Sequence, residues 1–274
     1  MHVGIVAAEI LLPLLYFVTI WVYAKAFFSG TAVARQLTSP LLIFLILAHS
    51  LYLLLRTIEF GHPPITNIFE IFSNIAFCIT VAYAYIEFQT KVSGTGYFIL
   101  ILPFFFQLTS SLFMKDIVEV PEMLSSNLLA VHVTSALLGY AAITISAVYG
   151  FLYLMLYHEI KSTRLGVIYK RLPNLEVLED MSFVGIFFGF LMLTISIVFG
   201  YIWLPRASIR FSYTDAKLIG TLAIWVIYAV GLTAKKIAGW HGRPLMVLSM
   251  FGFAITMFSM TIINMFFSQF HRFQ

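Results

Sequence analysis

"SNLLAVHVTSALLGYAAITISAVYGFLYLMLY", residues 126–157, decides the fold class. This stretch contains no Asp, Glu, Lys or Arg, and it is longer than the roughly 20 helical residues that cross ~30 Å of hydrocarbon. Further apolar runs of similar length lie along the chain, at 4–28, 38–57, 66–88, 96–114, 181–204, 217–234 and 245–268. The sequence therefore predicts an all-α fold, a polytopic membrane bundle of about eight transmembrane helices.

The composition supports the same class. Hydrophobic residues make up 61% of the 274 residues and charged residues only 10%, with a mean hydropathy of +0.96. Because a soluble domain has only ~45–50% apolar residues, we expect one membrane domain over residues 1–274, in contact with lipid. The longest polar stretch, 158–180, is predicted to contain a short interfacial helix that is broken near Pro173.

The placement of basic residues predicts the orientation in the membrane. The connections after the first, third, fifth and seventh predicted helices carry Lys25, Arg35, Lys91, Lys161, Arg164, Lys170, Arg171, Lys235, Lys236 and Arg243. Short loops rich in Lys and Arg lie on the cytoplasmic side. Both termini are therefore predicted to be extracytoplasmic, in a bacterial-type cytoplasmic membrane. This loop pattern also explains the net charge of +4 without a nucleic-acid partner.

Cysteine usage limits the cofactor chemistry. The single cysteine, Cys78, excludes an intramolecular disulfide and a cysteine-based metal site. The sequence contains no CxxCH motif, so the chain does not carry covalently attached c-type haem. Any haem would have to be held by other side chains.

Histidines inside the apolar runs are the leading functional candidates, because ionisable groups are costly in hydrocarbon. His132 follows a predicted helix start at Ser125–Asn127, and His271 lies at the outer end of the eighth predicted helix. Two neutral imidazoles at one membrane depth can ligate haem iron from both faces, which points to haem b with two His ligands. Alternatively, His132 makes an interhelical hydrogen bond and His271 reaches the membrane surface. Zinc is the weaker option, since its catalytic sites usually have three protein ligands.

The segment "YIWLPRASIRFSYTDAK", 201–217, lies between these two histidines. It combines aromatic side chains, including Trp203 and Phe211, with the basic residues Arg206 and Arg210. Haem is a flat apolar macrocycle with two propionates, so aromatic planes and guanidinium groups suit it. An interfacial aromatic belt would have the same composition.

Two more ionisable residues fall inside the predicted helices. His49 lies half-way along the second run, where it is either a hydrogen-bonded packing residue or a cofactor ligand. Glu70 follows Asn67 at the start of the third run, where it is either a proton carrier or part of a helix N-terminal cap. Its position favours the cap.

These residues resemble motifs of the CcsA/CcmC-type cytochrome c assembly proteins, including the HemX-like branch, over about residues 56–273. "GHPPITNIFEIF", 61–72, is similar to the family's G-H-F-P-x-S-N-x-Y-E-S motif, and "VHVTSALLGYAA", 131–142, resembles H-V-S-x-x-x-x-x-Y-A-A. "GWHGR", 239–243, resembles a G-W-R-G-R loop. "INMFFSQFHRF", 263–273, resembles a terminal N-x7-H ending. The resemblance implies that His132 and His271 are the paired external haem ligands.

The chain departs from the family in its outer signature. The tryptophan-rich motif W-G-x-Y-W-x-W-D-P-K-E-T-W aligns with "SIRFSYTDAKLIG", 208–220, in which Phe211, Asp215 and Lys217 are kept or similar. Its four tryptophan positions hold Ser208, Ser212, Thr214 and Gly220. Upstream, the G-x-x-W pattern is kept as Gly200 and Trp203, and the position of an intramembrane histidine holds Thr233.

The resemblance implies a haem-binding membrane protein that binds or delivers haem at the outer membrane face. The sequence shows no group of residues that would form a catalytic nucleophile. We therefore expect that the chain is not an enzyme by itself but a possible component of a cytochrome c haem lyase. Its partner would be another assembly subunit or apocytochrome c. The lost tryptophans favour a second hypothesis, a non-catalytic regulatory or structural subunit of haem biosynthesis or of a respiratory complex. A third is a small-molecule transporter that uses His49 and Glu70 as proton carriers.

Overall fold

The computed structural model describes residues 2–116, 126–163, 166–207 and 215–262. In this part the chain is helical without strands, and its helices are α1 (His2–Ala24), α2 (Ala32–Phe60), α3 (Ile68–Thr90), α4 (Gly96–Phe113), α5 (Asn127–Lys161), α6 (Val167–Arg171), α7 (Leu175–Trp203), α8 (Ala216–Lys236) and α9 (Arg243–Phe258). Eight helical segments among these residues are long and apolar enough to cross a membrane. The prediction of an all-α, multi-pass membrane bundle is confirmed. The single domain and the extracytoplasmic termini stay predictions.

Polar residues extend two helices beyond their apolar runs. α2 begins at Ala32, where the Arg35 guanidinium donates to the main-chain oxygen of Gly30 at 2.6 Å. α7 begins at Leu175 because the Asn174 side chain accepts a hydrogen bond from the Val177 N–H at 2.9 Å. The short helix α6 ends before Pro173, as the sequence predicts.

The chain forms two compact units, and unit 1 consists of Met1–Pro121 and Tyr169–Pro173. In unit 1, α1 packs against α2 and α4, and α3 packs against the same two helices. One apolar core cluster of unit 1 comprises Ile5, Leu12, Tyr16, Leu45, Tyr52 and Ala76. Ionisable side chains are buried in the same bundle, among them His49, Arg56, Glu70 and Glu87. Each of these needs a partner inside the bundle, because hydrocarbon offers none.

Unit 2 consists of Glu122–Ile168 and Asn174–Gln274. Its long helix α5 packs along α7 and α9, and α8 packs against α7 and α9. Small residues allow α5 and α7 to approach closely: a Cβ atom on Gly185 would lie 2.7 Å from Cβ of Ser146. The Ser146 hydroxyl also lies 2.8 Å from the main-chain oxygen of Ser182 and 2.7 Å from the hydroxyl of Ser249, which joins all three helices.

Candidate functional site

His132 lies in the second turn of α5 and faces α7. Its ring atom Nδ1 is 2.7 Å from the main-chain oxygen of Ser196. A carbonyl oxygen only accepts hydrogen bonds, so Nδ1 must carry the proton and donate it. In the neutral ring the lone pair is then on Nε2.

The Nε2 atom of His132 has no hydrogen-bond partner among the residues that the structure describes. A histidine that ligates a metal usually donates its other ring N–H to a carbonyl or carboxylate, which fixes both the tautomer and the ring orientation. His132 already has this second hydrogen bond. The described contacts of His132 therefore suit a histidine that binds a metal through Nε2.

The His132 ring lies against Ser196 and Gly200 on α7, and we call this surface the seat. Gly200 lies one turn beyond Ser196 on the same face, and a Cβ atom on Gly200 would be 2.7 Å from Nδ1 of His132. The hydroxyl of Ser196 donates to the main-chain oxygen of His132 at 3.0 Å, and it lies 3.1 Å from Nδ1. A glycine and a serine one turn apart thus hold both the ring and the backbone of His132.

Trp203 is buried beside this seat. With Leu129 and Leu204 it forms an apolar cluster, against which Val133 packs. Because Leu129 and Val133 flank His132 on α5, Trp203 joins the end of α7 to the helical turns that carry the histidine. The structure therefore brings Trp203 close to the His132 site as a packing residue.

Asp215 caps α8. Its carboxylate accepts a hydrogen bond from the Lys217 main-chain N–H at 2.8 Å. The main chain of Arg206 lies in a 3-10 turn, Leu204–Ala207, directly after α7. The side chain of Arg206, together with Arg210, Phe211 and His271, lies outside the described residues, so the pairing of His132 with His271 stays a prediction.

His49 lies in unit 1 and is fully buried. Its Nδ1 is 3.0 Å from the Tyr16 hydroxyl, and its Nε2 is 3.0 Å from the Ser73 hydroxyl. These contacts match the predicted alternative of a hydrogen-bonded packing residue. For His49 to ligate a cofactor, one of these two hydrogen bonds would first have to break. Its role as a cofactor ligand stays a prediction.

Glu70 does lie in the first turn of α3, as its predicted cap position requires. Asn67 is the capping residue, since its side chain accepts from the N–H groups of Phe69 and Glu70 at 2.9 Å. The Glu70 carboxylate instead accepts from the Thr66 N–H at 2.7 Å and pairs with Arg56 at 3.0 Å.

Comparison with known proteins gives the family. The sequence profile described as "Cytochrome C assembly protein" matches residues 7–271, nearly the whole chain. The chain belongs to the cytochrome c assembly protein family. It is 26% identical to cytochrome c biogenesis protein CcsA of Chlorella vulgaris over 75% of this chain and 76% of that protein. The CcsA of Trieres chinensis is 25% identical over 88% of each chain.

A bacterial relative is also similar to this cytochrome c assembly family member. Protein HemX of Bacillus subtilis (strain 168) is 30% identical over 150 residues, which are 55% of this chain and 54% of that protein. The predicted resemblance to the CcsA type with a HemX-like branch is confirmed. The chain is thus a multi-pass membrane protein of the cytochrome c assembly family.

Sequence reasoning missed residues on both units of this family member. On unit 2 it missed Ser196, whose main-chain oxygen orients His132 and which no motif marks. On unit 1 it missed Arg56, which lies within α2 and is buried. The spacing of His49, Tyr52 and Arg56, which repeats every three to four residues, could have indicated a polar helix face.

Proposed function

We propose that this cytochrome c assembly family member binds haem b at the outer membrane face, with His132 and His271 as the axial ligands. The observation that supports it best is the hydrogen bond from Nδ1 of His132 to the Ser196 carbonyl, which leaves Nε2 as a ligand atom. Haem would supply a redox-active iron and the vinyl groups to which cysteine thiols add.

The described residues around His132 fit a haem ligand. Nδ1 donates to a carbonyl, so the neutral ring has its lone pair on Nε2, as a metal requires, and the Ser196–Gly200 seat fixes the direction of the ring. Zinc stays the weaker alternative, because its catalytic sites usually have three protein ligands.

The residues that follow α7 would hold the rest of the haem. In this proposal Arg206 and Arg210 pair with the propionates, while Phe211 covers the macrocycle. Trp203 supports the site from its buried position, and Asp215, within the segment 201–217, caps the start of α8.

Partners must supply any thiol chemistry. The only cysteine, Cys78, lies within α3, so thioether formation requires the cysteines of another chain. We propose apocytochrome c or another assembly subunit as that partner, with this chain as a haem-binding component of a cytochrome c haem lyase rather than an enzyme alone. A bacterial-type cytoplasmic membrane is the proposed location.

The test is a spectrum of the purified protein. The full chain is expressed with ample haem and purified in detergent, and its visible and pyridine-haem spectra are recorded. We expect a b-type spectrum that is lost in both His132→Ala and His271→Ala. The control His158→Ala, at the other end of α5, should keep it. A haem-free wild type, or an unchanged spectrum in both variants, would refute the proposal.

A second candidate is a non-catalytic regulatory or structural subunit of haem biosynthesis or of a respiratory complex. The observation that favours it is the loss of tryptophan from positions 208, 212, 214 and 220. Deletion of the gene in the native host separates the two. If covalent haem in c-type cytochromes is lost, the second candidate is wrong, and if that haem is unchanged, the assembly role is wrong.

A further inference from the structure

The buried polar residues of unit 1 form three layers along the bundle, each with side chains from α1, α2 and α3. The Arg56 layer contains Glu9, Arg56 and Glu70; the His49 layer contains Tyr16, His49, Ser73 and Thr80; and the Glu87 layer contains Tyr23, Ser39, Tyr83 and Glu87. From Glu70 to Glu87 along α3 is about 25 Å at 1.5 Å per residue, close to the ~30 Å of a hydrocarbon core.

The Arg56 layer lies at one end. Arg56 is 1% exposed, and its guanidinium contacts the carboxylates of Glu9 at 2.8 Å, Glu70 at 3.0 Å and Asp116 at 3.1 Å. The Asp116 side chain is 39% exposed, so this end is accessible to water. The Tyr52 hydroxyl donates to Glu9 at 3.4 Å and extends the layer towards His49, one turn away on α2.

The His49 layer is a hydrogen-bonded chain. It runs from Gln107 through Ser73, His49 and Tyr16 to Thr80, with contacts of 2.8, 3.0, 3.0 and 2.9 Å. Both ring nitrogens of the imidazole therefore contact a hydroxyl group. A hydroxyl on each side is the arrangement in which an imidazole can take a proton at one nitrogen and release one from the other.

A count of protons supports this behaviour. Thr80 donates to the Ala76 carbonyl, and Ser73 donates to the amide oxygen of Gln107. The three contacts between Ser73, His49, Tyr16 and Thr80 then need three protons, while Tyr16 and a neutral imidazole supply one each. In this arrangement the chain accepts one more proton without any movement of heavy atoms.

The Glu87 layer lies at the other end. The Glu87 carboxylate accepts hydrogen bonds from the hydroxyls of Tyr23 at 2.6 Å, Tyr83 at 2.5 Å and Ser39 at 2.8 Å. Among the described residues no Lys or Arg forms an ion pair with it, although it is only 4% exposed. Amides and hydroxyls could make similar packing contacts at lower cost, so a carboxyl here indicates a function that uses its proton.

The layers follow one another on a single face of α3. Glu70 and Ser73 are three residues apart, as are Thr80 and Tyr83, which places each pair one turn apart. Tyr83 reaches Glu87 directly. The longer interval from Ser73 to Thr80 is bridged by His49 and Tyr16. Each remaining gap is a single helical turn of about 5.4 Å along the axis, which a bridging water molecule can span.

We propose that unit 1 conducts protons along these three layers, passively and down their electrochemical gradient. A proton entering from the Arg56 layer passes to Ser73, whose hydroxyl proton moves to Nε2 of His49. The Nδ1 proton then moves to Tyr16, the Tyr16 proton moves to Thr80, and the Thr80 proton moves to Tyr83 through a bridging water molecule. Tyr83 delivers its own proton to Glu87, which releases one through the partly exposed Ser39 hydroxyl. Each group gives up one proton for each proton that it receives, and no redox partner is needed.

Proton flux in vesicles tests this proposal. The full chain is reconstituted into phosphatidylcholine–phosphatidylglycerol vesicles that contain a pH-sensitive dye, and a potassium gradient with valinomycin drives proton movement. We expect a faster initial pH change than in protein-free vesicles. His49→Gln, which can keep hydrogen bonds but cannot relay a proton, and Glu87→Gln should both lose this protein-dependent flux. Glu59→Gln, an exposed carboxyl variant on α2, should keep it.

Tyr16→Phe keeps the aromatic ring and removes only the hydroxyl, so it tests the chain even if a His49 variant does not fold. Its flux should be lost while the haem spectrum stays unchanged, which separates this proposal from the haem site. A wild-type rate equal to that of protein-free vesicles, or full flux in all three layer variants, would overturn the proposal.

Discussion

A methyl group on Gly200 would lie 2.7 Å from Nδ1 of His132, so only glycine leaves room for the imidazole on this turn of α7. Gly200→Ala should push the ring from its hydrogen bond with the Ser196 carbonyl. Since loss of a hydrogen bond that orients a metal ligand typically costs ~10–100-fold in affinity, we expect haem affinity to fall by a factor in that range. Haem titration of the detergent-purified protein measures it.

Gly4→Ala is the matched control, because a Cβ atom on Gly4 meets nothing within 4 Å. Equal haem affinity in Gly200→Ala and the wild type would show that the seat on α7 does not orient a haem ligand.

Asp215 should act as a helix cap. Asp215→Ala removes the acceptor for the Lys217 N–H and should lower the free energy of unfolding by about 1 kcal/mol. Asp215→Asn should be nearly neutral, because asparagine caps as well as aspartate. Thermal unfolding in detergent compares them. If Asp215→Asn kept its stability but lost haem, the carboxylate would be a cofactor contact, as the sequence resemblance implies.

Arg56 should be the most sensitive charged residue of unit 1. Arg56→Gln leaves the buried Glu70 carboxylate without its cation, and removing one partner of a buried ion pair costs about 3–5 kcal/mol. Arg56→Lys should recover only part of this, since an ammonium group lacks the planar fork that reaches several carboxylates. Denaturant unfolding in mixed micelles measures the difference.

The exposed Glu59→Gln, on the same helix and without a hydrogen bond or ion pair among the described residues, serves as the control for Arg56 and should change stability by about 0.5 kcal/mol or less. A similar loss of stability in both variants would mean that burial of the Arg56 ion pairs does not contribute to the free energy of unfolding.

Glu179 should fix the loop 239–243. Its carboxylate accepts the Gly242 N–H at 2.8 Å and lies 3.5 Å from Nζ of Lys235 and 3.4 Å from Nδ1 of His241. Glu179→Ala should lower the opening free energy at Gly242 by about 1.5–3 kcal/mol, the usual contribution of a hydrogen bond to a charged group. Hydrogen exchange of a peptide covering the loop reports this.

Asp180→Ala, which removes a neighbouring carboxylate that lies 3.6 Å from Nζ of Lys235 and has no ion pair or hydrogen bond with the loop among the described residues, is the control and should leave the exchange nearly unchanged. Faster exchange in Asp180→Ala than in Glu179→Ala would show that Asp180, and not Glu179, holds the loop.

The membrane helices were predictable because hydropathy over some 20 residues dominates their formation. Their ends were not, since these depend on single side chains such as Asn174, which caps α7 outside its apolar run. The prediction for residues 158–180 was right about a helix break near Pro173, since α6 ends at Arg171 and α7 begins at Leu175.

The site was predictable only in part. His132 was found because a histidine in an apolar run is costly and because the motif resemblance marks it. Its acceptor, the main-chain oxygen of Ser196, has no signature in a sequence, since every residue has a carbonyl group. Arg56 was missed because its partners Glu9, Glu70 and Asp116 are distant in sequence, and only folding shows that their charges meet.

The tautomer of His132 is controlled by backbone geometry rather than by side-chain chemistry. Every amino acid keeps its main-chain oxygen, so no substitution of Ser196 removes this acceptor, and point mutation alone cannot easily switch the tautomer of the ring. A slide of α7 along its axis relative to α5, however, would carry that oxygen out of reach. The register of α5 and α7 would then determine whether Nδ1 keeps its proton and Nε2 is free to bind a metal.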